Sequence, residues 1–123
     1  MAYLTARKRA AGLGSAKDGT HHFWEMKVSS AGLLLLVPLF VFTVGPMLGQ
    51  PHDAVIAHFA RPFPAIVTGL TLAVGLMHFK NGAQVMIEDY AGGIARKALI
   101  IGVTCLCYAM AATGLFAIAR IAL

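Results

Sequence analysis

The sequence predicts an all-α membrane protein with three transmembrane helices, and three observations lead there. Of its 123 residues, 59% are apolar and only 12% are charged, about half the charged fraction of a soluble domain. The apolar residues gather into runs at about 31–48, 63–87 and 98–119, each close to the ~20 residues that a helix needs to cross a bilayer. The charged residues lie mostly before and between these runs. The chain reads as a single membrane domain over 1–123 with a polar leader at 1–30. Its length leaves no room for a separate soluble catalytic domain.

The leader carries Arg7, Lys8, Arg9, Lys17 and Lys27. A net charge of +5 raises the question of nucleic acid. Basic residues massed beside an apolar span instead mark the cytoplasmic side and meet anionic lipid heads, so membrane lipid is the expected partner and nucleic acid is not. A cleaved signal peptide is not expected, because the leader is long and the first apolar run exceeds the usual ~7–15 residues. One basic residue, Arg61, lies between the first two runs, and Arg96 and Lys97 lie between the last two. The positive-inside rule then places the N-terminus and the second loop in the cytoplasm.

The first span, 31–48, has no charge and is about 27 Å long as a helix. Pro38 is expected to kink it and Pro46 to help end it. Residues 18–30 are able to extend it into the headgroup layer, placing Phe23 and Trp24 in an aromatic belt. A short loop is expected over 49–62. The second span, 63–87, differs from the others in carrying His78, Lys80, Asn81 and Gln84. A second loop is expected over 88–97, with Gly92 and Gly93 between helices. Ala65, Gly69 and Ala73 form a small-residue row that allows close helix packing, either within the chain or against another subunit. Cys105 and Cys107 in the third span point about 200° apart on a helix, so they cannot pair and read as packing residues.

An ionisable group at membrane depth is the place to look for function. His78 lies about 13 Å from the inner end of its span. Neutral imidazole is a good haem ligand, and Gly82, one turn later, leaves room for a flat macrocycle. A histidine hydrogen-bonded to a neighbouring helix is the alternative. His21 and His22 belong to the inner tail and His52 and His58 to the outer loop, so a bis-histidine haem needs its second ligand from another chain. Lys80 points about 200° away from His78 and reads as snorkelling to the interface. Asn81 and Gln84 read as hydrogen-bonding across helices. The second span ends in Glu88, Asp89 and Tyr90, where a phenol beside a carboxylate suits hydrogen bonding and proton transfer to a quinone carbonyl.

The segment 78–90, HFKNGAQVMIEDY, resembles the signature of the membrane anchors of succinate dehydrogenase (respiratory complex II), in particular the smaller, D-type anchor. The pattern is a histidine in the second span, ten residues, then Asp-Tyr, with Gly82 four residues after the histidine. His21 and Lys27 before the first span are also similar, although the family commonly has arginine where Lys27 stands. The resemblance implies that His78 is one axial ligand of haem b and that a larger cytochrome b anchor supplies the other. It implies that Tyr90 and Asp89 bind ubiquinone and that His21 and Lys27 hold haem propionates. Lysine lacks the planar fork of arginine for that last task.

The resemblance further implies partners: a flavoprotein that oxidises succinate, an iron–sulfur protein and the larger anchor. The basic leader, poor in acids, could belong to a mitochondrial transit peptide, but its presence in so compact a chain favours a bacterial inner membrane over a mitochondrial one. This chain has no dinucleotide-binding glycine motif and no cysteine cluster for iron–sulfur ligation, so succinate chemistry belongs elsewhere in such a complex. Two alternatives remain at this point. One is the anchor of a related quinone-linked complex such as fumarate reductase. The other is a haem-free transporter or scaffold using Lys80 and Glu88.

Overall fold

The computed structural model describes residues 3, 5–12 and 19–123; Lys17 of the basic leader lies outside them. The described residues form five α-helices and no strand: α1 (Ala6–Ala11), α2 (Gly19–Val44), α3 (His52–Phe59), α4 (Pro62–Tyr90) and α5 (Gly93–Ala122). Among them, α2 with the 3₁₀ turn that follows it, α4 and α5 are long and apolar enough to cross a membrane. The three-span, all-α architecture expected from the hydropathy is therefore present.

The helices run beyond the apolar runs. α2 begins at Gly19, so the polar stretch ahead of the first run is helical, as its composition allows. Pro38 lies inside α2, and the helix ends at Val44 where Pro46 opens a 3₁₀ turn over Gly45–Met47. Phe23 and Trp24 are both exposed and meet edge to face, with ring centroids 6.1 Å apart. Their position on the leading turns of α2 suits the headgroup layer.

The first connection is not simply a loop. His52–Phe59 forms α3, a short helix with Asp53 in its first turn, the end of the helix dipole that favours a carboxylate. α4 then starts at Pro62, whose missing N–H costs nothing at a helix start. The second connection is shorter than expected. α4 runs to Tyr90 and α5 starts at Gly93, leaving Ala91 and Gly92 between them. Gly93 takes the left-handed region with φ 59°, where a side chain would be strained. Arg96 donates from Nε to the Ala91 carbonyl at 2.8 Å and ties this turn together.

α4 is the central helix, with α2 packed along one side and α5 along the other. The small-residue row settles against α5: Ala65 and Gly69 are buried, and a Cβ at Gly69 would meet Leu115 Cδ2 at 3.4 Å. The row thus serves packing within the chain. Leu72 in turn presses into the space left by Gly114. Cys105 is exposed and Cys107 buried, both as free thiols. No span has more than 17% of its apolar window buried inside the chain. Most of the apolar surface is therefore left for lipid or other chains to cover.

Candidate membrane-embedded site

The polar side chains of α4 are placed by the 100° step of the helix. His78 and Asn81 face α2, while Lys80 turns toward α5. Two hydrogen bonds cross the α2–α4 seam. The His78 ring, half-buried, has Nδ1 2.9 Å from Ser29 Oγ. Asn81, 2% exposed, donates from Nδ2 to Glu25 Oε2 at 3.2 Å. The expected cross-helix role of Asn81 is thus seen. Gln84 instead donates along its own helix to Glu88 Oε1 at 2.9 Å.

Ser29 is 6% exposed, and its hydroxyl also reaches the carbonyls of Glu25 at 2.7 Å and Met26 at 3.1 Å. The Glu25 carboxylate in turn lies 3.3 Å from His21 Nδ1. A polar chain therefore runs from exposed His21 through Glu25 to buried Asn81. Sequence reading missed Ser29 and Glu25. The signal available was their spacing of four, which puts both on one face of a helix.

His78 satisfies the plainer of its two expectations, a histidine bonded to a neighbouring helix. An imidazole has two nitrogens, however, and Nε2 has no hydrogen-bond partner among the described residues. Gly75 and Gly82 lie within about 60° of His78 around α4. A Cβ at either would have only one atom within 4 Å: Leu33 Cδ2 at 4.0 Å or Met26 Cε at 3.9 Å. The strip beside His78 is therefore thinly covered, and Phe79 and Met86 next to it are exposed. No three His, Cys, Asp or Glu side chains among the described residues converge on a metal position. The described residues therefore offer no complete set of such ligands around His78.

The remaining candidates stand apart. α4 is unbroken to its end, so Asp89 comes back to within about 20° of His78 and Tyr90 lies about 18 Å further along the axis. Tyr90 is 89% exposed, and neither residue has a hydrogen-bond partner among the described residues. Lys27 sits with Nζ 5.4 Å from the centre of the Phe23 ring, about 120° around α2 from His21. The structure does not bring those two together. Lys80 places Nζ 5.8 Å from the Tyr108 ring and borders a cavity of about 280 Å³ with Glu25, Leu76 and Cys107. Glu88 and Lys80 thus have separate partners. A second cavity, of about 470 Å³, opens beside Ser29 between His21, Trp24 and Met77. His78 lines neither cavity.

The chain matches the family model described as the succinate dehydrogenase/fumarate reductase transmembrane subunit over residues 1–116. It belongs to that family. It is 45% identical over 123 residues to the succinate dehydrogenase hydrophobic membrane anchor subunit of Paracoccus denitrificans, covering all of this chain and 95% of that one. The subunit of the same name from Rickettsia conorii is 32% identical over 101 residues, 80% of each chain. That from Rickettsia bellii is 34% identical over 98 residues, 77% of each. No solved structure matches. Membership fits the three spans, and the chain is a multi-pass membrane protein of the succinate dehydrogenase/fumarate reductase transmembrane subunits.

Proposed function

We propose that this chain is the smaller membrane anchor of a succinate dehydrogenase, shares a haem b with a larger anchor subunit, and helps to bind and protonate ubiquinone. The observation that carries the reading is His78. It is an imidazole at membrane depth whose Nδ1 is engaged by Ser29 while Nε2 has no partner among the described residues, on a strip of α4 flanked by two glycines. That donor and that strip are what a haem held at His78 would need from this chain. A second histidine ligand would come from the larger anchor. His21 and Lys27, about 120° apart around α2, would each have to reach a propionate separately, and His21 also lies 3.3 Å from Glu25.

Haem, when bound, supplies a one-electron carrier inside the bilayer. The chain's own residues do the rest. Tyr90 donates a hydrogen bond to a quinone carbonyl and polarises it, and the Asp89 carboxyl beside it resupplies a proton as the carbonyl oxygen becomes a hydroxyl. Both residues sit exposed at the C-terminal end of α4, where a partner's surface would complete the pocket. Electrons arrive from an iron–sulfur subunit served by a flavoprotein that oxidises succinate. The basic leader and the second connection lie in the cytoplasm, and the membrane is the bacterial inner membrane. The relatives named above support succinate dehydrogenase over fumarate reductase.

Replacing Tyr90 with Phe tests the quinone role. It slows ubiquinone reduction on the order of 10²-fold and spares succinate oxidation by an artificial acceptor that takes electrons from the soluble subunits. Equal loss of both activities would mean failed assembly, and no loss of either would remove Tyr90 from the site.

A further inference from the structure

The Ser29 hydroxyl has one proton and three neighbours. Two are the carbonyl oxygens of Glu25 at 2.7 Å and Met26 at 3.1 Å. A carbonyl oxygen only accepts, so at these distances the hydroxyl proton must point at one of them. Otherwise bare lone pairs would face each other in a site that is 6% exposed. The third neighbour is His78 Nδ1 at 2.9 Å. With the hydroxyl proton already committed, Oγ meets the ring as an acceptor, and Nδ1 must carry the N–H. A neutral imidazole has one proton on nitrogen, so Nε2 is left with its lone pair bare.

We propose that Ser29 is a positioning residue: its hydroxyl fixes His78 in the Nδ1–H tautomer and holds the ring so that Nε2 is presented to a metal. This rests on the haem reading of His78. The physical effect has two parts. A ring locked by its second nitrogen loses little further freedom on ligation. An Nδ1–H that donates to an acceptor also makes Nε2 a more basic ligand, and removing such a partner typically costs about 10–100-fold in metal affinity. A more basic ligand favours the ferric state, so the same hydrogen bond lowers the haem potential. The carbonyl contacts explain why a short hydroxyl at this position suffices. α2 itself orients the hydroxyl, and the acceptor lone pairs point across the seam.

The experiment uses the whole complex purified with this chain, in wild type, Ser29→Ala, Ser29→Cys and Ser29→Thr, with His78→Leu as reference. The readouts are haem per complex, the rate of haem loss to excess apomyoglobin, and the midpoint potential from a spectroelectrochemical titration. Ser29→Ala is expected to speed haem loss about 10–100-fold and to raise the potential. Ser29→Thr, which keeps a hydroxyl able to bond back to the helix carbonyls, returns both to wild type. Ser29→Cys, of similar shape with a weak acceptor, falls between them.

A merely structural role would lower the stability of Ser29→Ala without moving the potential of the haem that remains. Haem present in wild type and altered in His78→Leu, with potential and loss rate unchanged in Ser29→Ala, overturns the positioning role and leaves the haem reading standing. A wild-type complex with no haem overturns both.

Discussion

Asn81 is the most enclosed polar side chain of the described residues, and its bond to Glu25 is a separable part of the α2–α4 seam. Replacing Asn81 with Ala removes the Nδ2 donor, 3.2 Å from Glu25 Oε2, and opens a small cavity where the amide stood. A hydrogen bond to a charged acceptor contributes about 1.5–3 kcal/mol in water-soluble proteins, but interhelical bonds within membranes average about 0.6 kcal/mol, with a maximum near 1.7. The Glu25 side chain is 40% exposed and also engages His21, so solvent and a second partner compensate part of the loss. A coupling of about 0.5–1.5 kcal/mol is therefore expected. The assay is a double-mutant cycle of Asn81→Ala, Glu25→Ala and the pair, read from the SDS-induced unfolding of the purified complex in detergent micelles. The singles should overstate the double by that coupling. Losses that add to within about 0.3 kcal/mol, as for independent sites, would refute the claim that this bond holds the seam.

Two further outcomes follow from packing and from charge. Gly69→Leu, where even a Cβ would sit 3.4 Å from Leu115 Cδ2, should destabilise the α4–α5 pair by about 1–3 kcal/mol, whereas Gly69→Ala should be tolerated; equal behaviour of the two in thermal melts would mean that α5 does not pack there. In a background lacking Cys105 and Cys107, an impermeant maleimide applied to intact cells should label Gln50→Cys and spare Gly92→Cys; the reverse pattern would overturn the cytoplasmic N-terminus.

The spans were legible because a bilayer imposes long uncharged runs, and no competing fold satisfies runs such as 31–48 and 98–119. Their ends were not. Hydropathy falls at His21, Glu25 and Lys27 and again at Glu88–Asp89, yet a helix continues through polar residues when its backbone bonds remain intact. α3 was missed for a related reason: eight residues give too few turns for periodicity to show. Pro51 followed by Asp53 was the available start signal. At the site, His78 was visible because an imidazole at membrane depth is rare. Its partner was not, because Ser29 and His78 stand 49 residues apart, as do Glu25 and Asn81 at 56. Only the packing of α2 on α4 brings them together. Gln84 shows the converse: its spacing of four from Glu88 favours a local bond over one across helices.

The most direct test of the account is a dithionite-reduced minus oxidised absorption spectrum of the complex that copurifies with this chain, recorded for wild type and His78→Leu. Haem held at His78 gives a b-type signal in wild type that is lost or displaced in the variant while the chain still inserts into the membrane. A spectrum unchanged by the substitution, or a wild-type complex with no haem signal, would contradict it.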